Sequence, residues 1–455
     1  RYRKGKLVWT RGVEADEPPE HEPLFDAADR IDIDQLLLYV DRRTQFLSGF
    51  EHVMGRYQRG RGNKPLLVAG LMAFATNMGL GRMSEISNFS RDQLSTSTNN
   101  FIRLETLREA NDRLADATAK LPIFRYFDIG DTVHSSSDGQ KFEAEVPTIN
   151  SRHSAKYFGL KKGVVAYTML ASHVPLSARI IGANEHESHY VFDVLFNNTS
   201  DIQPSTHSTD THGANQVNFA LLHFFGYRFA PRYRDFRHKI ETGLYGFENP
   251  RTTEGPLKPL RRIREDLIIA EWPNIEQILL SLALKSTSQS VIVSKLSTYR
   301  RSNRTKQALW EFDRIIQSLY LLDYVDSPIL RRNVHKALNR GEAYHRLRRA
   351  IAYANGGRFR VRSQNEQEIW NESARLIANA VVHYNSMILS EMVKVFEKQR
   401  DMTSLKNLER ISPLAWQHIN FYGRYQFDRD MEPLNLRAMA SKITDSGALP
   451  WRNHG

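Results

Sequence analysis

Strand-like sequence is confined to one stretch of this chain, between about residues 128 and 235. The residue patterns predict the following elements there: a strand over 134–145, a hairpin of two strands over 163–170 and 177–182 with its turn at Pro175, a helix over 185–197, a strand over 202–209 and a short apolar helix over 217–225. Strands that alternate with helices in this way restrict this part of the chain to an α/β fold.

Helical patterns surround the α/β stretch on both sides. The clearest single helices that they predict lie over 65–80, 99–121, 331–353 and 369–396. We therefore expect the following segments: a linker over 1–30, a helical domain over 31–127, the first part of the core over 128–250, a helical insertion over 251–328, the second part of the core over 329–400 and a C-terminal tail over 401–455. The order of the core elements is that of a ribonuclease-H-like fold, although other α/β folds would fit it as well.

The charge balance and the cysteine content limit the classes of function. Lys and Arg number 63 against 51 Asp and Glu, a formal net charge of +12. Such an excess favours polyanionic partners, nucleic acid first and an anionic membrane surface second. The chain contains 0 Cys, which excludes disulfides, thiolate zinc sites and Cys nucleophiles. No apolar run approaches the roughly 20 residues that span a bilayer, so we expect a cytoplasmic protein, and because the first residue is Arg1 we expect a fragment or a processed chain.

Three acidic residues from separate predicted elements could hold divalent metal ions. Asp138 lies in the first strand, Asp210 ends the strand over 202–209, and Glu342 lies on the helix over 331–353. Cleavage of a phosphodiester by two metal ions needs carboxylates of this kind, because hard cations such as Mg²⁺ bind oxygen ligands. Each residue also has a plainer interpretation: an Asp-Gly turn for Asp138, an Asx-turn or helix cap for Asp210, and a surface ion pair with Arg346 for Glu342. The carboxylates that compete for the third position are Glu366, Glu368, Glu372 and Glu391.

Three blocks around these residues resemble those of a known family. In this order, Ser135–Gln140, Ser208–Gly213 with the following Phe225–Asp235, and Leu338–Glu342 resemble the first, second and third catalytic blocks of the Tn-three family of replicative DDE transposases. The likeness extends over roughly residues 30–425 and includes Ile411–Asn420, which is similar to a C-terminal block of the family. The chain departs from the family pattern at Tyr384-Asn385-Ser386 and at Ala415-Trp416-Gln417, and neither segment contains a candidate metal ligand.

The resemblance implies roles for the acidic residues and for the protein. Asp138, Asp210 and Glu342 would be the catalytic residues and would bind two Mg²⁺ ions, with Mn²⁺ as a substitute. The implied reaction is cleavage at transposon DNA ends, followed by attack of the new 3′ hydroxyls on target DNA. The implied partners are double-stranded DNA and a second copy of the chain, in the bacterial cytoplasm at the nucleoid. Family members are much longer, and we expect the half that reads the terminal repeats to be missing here.

Basic side chains near these blocks are candidates for contacts with DNA phosphates. The candidates are Arg232 and Arg234 after the second block, Lys161 and Lys162 before the hairpin, and Arg346 one turn after Glu342. A solvated surface charge is an equally common interpretation of such clusters. His207 and His212 flank Asp210 and could orient the leaving group, although a structural role is the more ordinary one.

We therefore predict the catalytic half of a replicative DDE transposase. Three alternatives from other classes remain. A structure-specific nuclease on the same fold would cleave DNA without joining a precut 3′ end to a target. A non-catalytic DNA-binding regulator would bind DNA without nicking it, and a helical scaffold protein would do neither.

Overall fold

The computed structural model describes residues 2–3, 6–7, 22–55, 62–130, 132–298, 303–358, 360–361, 363–427, 434–445 and 449. Most of the predicted linker over 1–30 and part of the predicted tail over 401–455 lie outside these residues. The described residues form a mixed α/β fold with one hydrophobic core that runs from Leu24 to Leu449.

The strands are short except for three that form the centre of the main sheet. They are β1 Tyr2–Arg3, β2 Lys6–Leu7, β3 Ile31–Asp32, β4 His134–Glu143, β5 Arg152–His153, β6 Lys162–Ala171, β7 Val174–Gly182, β8 Thr206–Ser208, β9 Arg228–Phe229 and β10 Ile419–Asn420. The predicted first strand is confirmed as β4, whereas the predicted strand over 202–209 is reduced to the three residues of β8.

Helices make up most of the rest of the described chain. They are α1 Ile33–Thr44, α2 Lys64–Ala75, α3 Gly79–Ile86, α4 Arg91–Phe101, α5 Leu104–Ala119, α6 Ala155–Phe158, α7 Val191–Phe196, α8 Asn218–Phe224, α9 Phe236–Gly243, α10 Glu265–Ala283, α11 Gln289–Thr298, α12 Arg304–Asp326, α13 Pro328–Ile351, α14 Gln364–Gln399, α15 Met402–Leu408 and α16 Leu436–Asp445. In the part of the chain that is described, no helix combines the length and the apolar character needed to cross a membrane.

The main sheet is mixed. Its strands follow the order β5-β6-β4-β8-β9, and β7 also pairs with β6. The pairings of β4 with β6 and of β6 with β7 are antiparallel, whereas β4 with β8 and β8 with β9 are parallel. The short strand β8 pairs with the first three residues of the longer β4 and runs in the same direction. The chain that follows β8 therefore continues toward the middle of β4.

The hairpin turn lies two residues before the predicted position. Ser172 and His173 form it, with φ values of 47° and 70°, the left-handed conformation at two successive positions that suits the twist of a tight hairpin. Pro175 lies inside β7, opposite Leu170. This strand pairs only with β6 among the described strands, and an edge strand tolerates a proline because its outer N–H needs no partner.

Two predicted helices are each divided in the structure. The helix predicted over 65–80 ends at Ala75, and α3 begins at Gly79, because Asn77 takes a φ of 64° that an α-helix does not allow. The helix predicted over 99–121 is interrupted at Arg103, whose extended backbone starts α5 while its N–H donates to Thr106 Oγ1.

The two long helices predicted after the insertion are confirmed. They are α13 and α14, and α14 has 36 residues. Most of α14 is buried because it passes through the core and contacts α2, α5, α16 and β7. In contrast, α13 lies along β4 and brings its own polar residues to that strand.

Candidate active site

The first two predicted acidic residues lie side by side on the main sheet. The parallel pairing of β4 with β8 aligns His134 with Thr206 and Ser136 with Ser208. This register ends at Ser136 and Ser208, two residues before Asp138 and Asp210, and the charge of Asp210 acts on the Asp138 carboxyl. The pairing of a long and a short strand therefore brings two carboxylates together.

Asp138 lies in the middle of a ten-residue strand and not in a turn, so the Asp-Gly turn interpretation is wrong. Its Oδ1 accepts a hydrogen bond from the Gly139 N–H at 2.8 Å. Burial raises the pKa of the Asp138 carboxyl to about 6, and repulsion by the charge of Asp210 adds to the rise. The fold thus holds two carboxylates close enough to repel each other.

Asp210 closes the turn that follows β8. Its Oδ1 accepts a hydrogen bond from the Gly213 N–H at 3.1 Å, and its carbonyl oxygen accepts from the same N–H at 3.2 Å. The alternative interpretation of Asp210 as a turn-forming residue is therefore confirmed. The turn-forming role is compatible with a place in the candidate site, because the turn fixes the Asp210 carboxylate just after β8, near Asp138.

The third predicted residue, Glu342, lies on the helix that covers Asp138. On either side of Asp138, Ser136 Oγ donates to the Ala337 carbonyl at 2.8 Å and Gln140 Nε2 donates to the His345 carbonyl at 2.9 Å. Asp138 faces the same helix, since alternate residues of a strand share a face, and its Oδ2 lies 3.7 Å from His345 Nδ1. Glu342 precedes His345 by one turn of α13 and is exposed.

Electrostatics also link Glu342 to this region. Burial lowers the pKa of His345 to about 4, and the negative charge of Glu342 acts against this lowering. His345 therefore stands between Asp138 on the strand and Glu342 on the helix, in contact with the first and within one helical turn of the second. Two of the three predicted residues, Asp138 and Glu342, therefore act on the same histidine.

The three carboxylates do not form a closed metal site. Within the described ranges, no group of three or more His, Asp or Glu side chains lies close enough to hold a metal ion. The pair of Asp138 and Asp210 nevertheless fits a divalent cation, because both offer carboxylate oxygens. A cation would also offset the two causes that raise the pKa of Asp138, burial first and the charge of Asp210 second. Glu342 is exposed on the helix that packs against β4.

The carboxylates that competed for the third position are all engaged elsewhere, on α14. Glu366 accepts from the Ser363 N–H at 2.9 Å, Glu368 accepts from the Ile180 N–H at 3.2 Å, Glu372 pairs with Arg375 at 2.6 Å, and Glu391 pairs with Lys394 at 2.6 Å. Each of these contacts has a structural role: a helix cap, a contact with the sheet edge or an ion pair.

Sequence patterns missed two residues near the aspartates. The first is Glu187, whose carboxylate lies against Gly139 and 3.6 Å from Lys141 Nζ. Burial and the charge of Asp138 raise the pKa of Glu187 to about 7. It follows the hairpin in a segment without periodicity, so no local signal marked it. The second is His345, which the spacing of three residues after Glu342 could have indicated, since such residues share a helix face.

Gly139 and Gly341 offer a matched pair of substitutions at this site. A Cβ at Gly139 would overlap the Glu187 carboxylate and lie 2.5 Å from Val165 Cγ1, whereas a Cβ at Gly341 would make an ordinary 3.9 Å contact with Ser136 Oγ. We expect Gly139→Ala to lower the free energy of unfolding by about 1–3 kcal/mol. Gly341→Ala should raise it by about 0.5–1 kcal/mol, because alanine suits a helix interior better than glycine does.

Denaturant unfolding of both variants against the wild type measures the difference. The prediction is wrong if the two alanines change stability by the same amount, or if the order of the two effects is reversed.

The basic residues fall into two groups. Arg232 lies beside the aspartates. Its backbone N–H donates to the Thr209 carbonyl at 2.8 Å, and its positive charge opposes the rise in the pKa of Asp138 that burial causes. Arg234 is exposed on the same segment, and Arg346 follows His345 on α13. Lys161 and Lys162 lie at the far end of β6, where Lys161 pairs with Glu143 at 2.5 Å.

His207 has a structural position. It is fully buried and its two ring nitrogens lie 2.8 Å from the hydroxyls of Ser135 and Ser137. Burial lowers its pKa to about 3, so the ring stays neutral at ordinary pH. The prediction that this histidine is structural is confirmed, and the side chain of His212 lies outside the described part of the chain.

One carboxylate on β4, a second in the turn that follows the parallel strand β8 and a third on the helix packed against β4 make up a candidate active site for a metal-dependent enzyme of the α/β class. The family model described as the Tn3 transposase DDE domain matches residues 35–425 of this chain. The chain belongs to this family, which is the Tn-three family that the sequence blocks resemble. A DDE domain implies dependence on a divalent metal.

Curated relatives agree with this family. The chain is 31% identical over 422 residues to the transposase for transposon gamma-delta of Escherichia coli (strain K12), which covers 91% of this chain and 42% of that protein. It is 31% identical over 401 residues to the transposase for transposon Tn501 of Pseudomonas aeruginosa, with coverages of 87% and 40%. For the transposase for transposon Tn3926 of Escherichia coli the identity is 32% over 398 residues, with coverages of 86% and 39%. The chain thus spans well under half the length of these relatives.

Proposed function

We propose that this chain is the catalytic part of a DDE transposase that cleaves DNA at transposon ends and joins the 3′ hydroxyls to target DNA, as in replicative transposition. The observation that carries the proposal is the parallel pairing of β4 with β8, which supports a position of Asp138 close to Asp210, with the helix that bears Glu342 packed against β4. The relatives that match most of the chain are named as transposases, which supports the same reaction. We assign the strands and helices around this site to a ribonuclease-H-like core, interrupted by the helical segment over 251–328.

The proposed roles of the acidic residues follow from their positions. Asp138 and Asp210 bind the cations, and Glu342 turns inward from α13 to supply the third carboxylate. When bound, two Mg²⁺ ions make the attacking water or 3′ hydroxyl a stronger nucleophile and neutralise the leaving oxygen. His345 holds Asp138 against the helix through the close approach of its ring. Glu187 and Lys141 fix Gly139 from the opposite face of the strand.

The proposed DNA contacts use the basic residues on both sides of the site. Arg232, Arg234 and Arg346 lie near the carboxylates and would hold the phosphates next to the scissile bond. Lys161 and Lys162 lie farther along the sheet and would hold the flanking DNA. We further propose that two copies of the chain act together on the two transposon ends.

One assay separates this proposal from its alternatives. The chain is incubated with a labelled DNA duplex that carries a precut 3′ end, an unlabelled target plasmid and Mg²⁺. A transposase joins the labelled strand to the plasmid, and EDTA abolishes the product. A nuclease of the same fold nicks the plasmid without joining, and a regulator binds the labelled DNA without doing either. Either of these last two outcomes would overturn the proposal.

A further inference from the structure

A short segment beside the site carries exposed apolar side chains that the catalytic proposal does not use. The wedge turn, residues 155–161, consists of α6 and the turn that connects it to β6. Leu160 at its tip is 98% exposed, and Tyr157 on α6 is 46% exposed. A partner that covers these two neighbouring side chains would remove their apolar area from water, which is favourable.

The exposure of Leu160 comes from an ordered turn. The Phe158 ring packs directly on Gly163, where any Cβ would overlap it. The Lys161 N–H donates to the Phe158 carbonyl at 3.0 Å, which closes the turn, and Gly159 takes the φ of 59° that the turn requires. With Phe158 anchored on the sheet, the neighbouring Leu160 is held away from the protein.

The charges around the wedge turn favour a polyanionic partner. Lys141 Nζ and Lys156 Nζ lie 4.4 Å and 4.9 Å from the centre of the Tyr157 ring. Lys161 and Lys162 follow the tip. The carboxylates that face this region are already paired: Glu143 contacts Lys161 and Arg358, Glu145 contacts Arg360, and Glu187 lies beside Lys141. A half-exposed aromatic ring close to basic side chains combines a stacking surface for a nucleic acid base with positive charges for its phosphates.

The wedge turn is close enough to the aspartates to touch the same DNA. Lys141 lies three residues after Asp138 on β4, which is about 10 Å along a strand. When the length of the Lys141 side chain and its contact with Tyr157 are added, the Tyr157 ring lies within about 20 Å of Asp138. This distance corresponds to about six nucleotides at ~3.4 Å per nucleotide.

We propose that Tyr157 and Leu160 bind unpaired DNA bases within a few nucleotides of the scissile phosphodiester. Tyr157 stacks on one base, and Leu160 inserts between neighbouring bases and keeps the strands apart, as exposed apolar side chains do in proteins that distort DNA. The placement relative to the scissile bond rests on the proposed function, whereas the preference for unpaired bases does not.

Binding measurements without cleavage test this inference. Fluorescence anisotropy in metal-free buffer gives the Kd of the chain for a forked DNA with two unpaired arms and for a fully paired duplex of the same length. We expect the wild type to prefer the fork. Tyr157→Ala and Leu160→Ala should each reduce this preference about tenfold, the range for loss of one base stack. Lys162→Ala should weaken binding to both DNAs equally and reduce its salt dependence, because a phosphate contact does not distinguish them.

The matched control is Leu284→Ala, since Leu284 is 78% exposed at the end of α10 in the helical insertion. It should leave the preference for the fork unchanged. The inference is overturned if the wild type binds fork and duplex alike, or if the Tyr157 and Leu160 variants keep the full preference. Strand transfer without a preference for the fork would overturn this inference alone. A preference for the fork without strand transfer would overturn only the proposed function.

Discussion

Replacing Asp138 by asparagine should abolish DNA cleavage and joining while making the metal-free protein more stable. Asparagine has nearly the same shape but cannot bind a cation as a carboxylate does. A bound metal ion supplies several kcal/mol of transition-state stabilisation, and each ~1.4 kcal/mol corresponds to a factor of ten in rate. We therefore expect activity to fall by at least about a thousandfold, with DNA binding retained.

The gain in stability follows from the pKa of Asp138. Burial and the charge of Asp210 raise it in the folded protein from the ordinary value of 3.8 to about 6. The folded state therefore holds the proton more tightly than the unfolded state does, and the free energy of unfolding falls as the pH rises from about 4 to about 6. Above this pH window, the whole pKa difference would correspond to a loss of about 3 kcal/mol in the free energy of unfolding. Because the Asp138 side chain is 32% exposed, solvent screening reduces our expectation to about 1 kcal/mol.

Thermal unfolding at pH 5 and pH 8, with and without Mg²⁺, measures this effect alongside the strand-transfer assay. Asp138→Asn should be more stable than the wild type at pH 8 without metal, and Mg²⁺ should stabilise the wild type but not the variant. The control is Asp323→Asn, which removes an exposed ion pair between α12 and Arg228 on the edge strand β9. A variant that still joins DNA would contradict the assignment of Asp138, and one that gains no stability at pH 8 would contradict the electrostatic account.

The candidate aspartates came from sequence blocks that resemble the family, and not from a local pattern. The parallel pairing of β4 with β8 gives a physical reason why Asp138 and Asp210 are close enough for their charges to interact. Periodicity also predicted α13 and α14, because long helices repeat their buried positions many times.

The errors arose where tertiary contacts override local preference. Pro175 marks a turn by composition, but the edge position of β7 lets a proline pair within the strand. The left-handed backbone at Asn77 and the capped start of α5 at Arg103 divide helices whose apolar pattern is continuous. Glu187 could not be found from a local pattern, because only the folding of the sheet brings it against Gly139.

Substitutions of one exposed and one buried glutamate should separate a catalytic role from a structural role. Glu342→Ala should remove strand transfer while changing the free energy of unfolding by no more than about 0.5 kcal/mol, because Glu342 is exposed on α13. Glu372→Ala should destabilise the protein by about 3–5 kcal/mol, because it leaves the guanidinium of Arg375 buried without its carboxylate. Both side chains of that pair are almost completely buried, with 2% and 3% exposure.

The neighbours of Glu372 explain why its loss cannot be compensated locally. Arg375 Nε and Nη2 donate to one Glu372 oxygen at 2.8 Å and 2.6 Å, and Arg375 Nη1 donates to the Leu176 carbonyl at 2.5 Å. This guanidinium therefore ties α14 to β7 and cannot leave for solvent without breaking that contact. Glu342 in contrast is exposed, and its helix is fixed to β4 by Ser136 and Gln140.

The comparison needs both stability and activity, measured on the same preparations. Urea unfolding gives the midpoint shift of each variant, and the strand-transfer assay is run at a temperature at which the Glu372 variant is still folded. Under those conditions Glu372→Ala should join DNA nearly as fast as the wild type, whereas Glu342→Ala should be inactive. If Glu342→Ala joins DNA normally, α13 does not supply the third carboxylate.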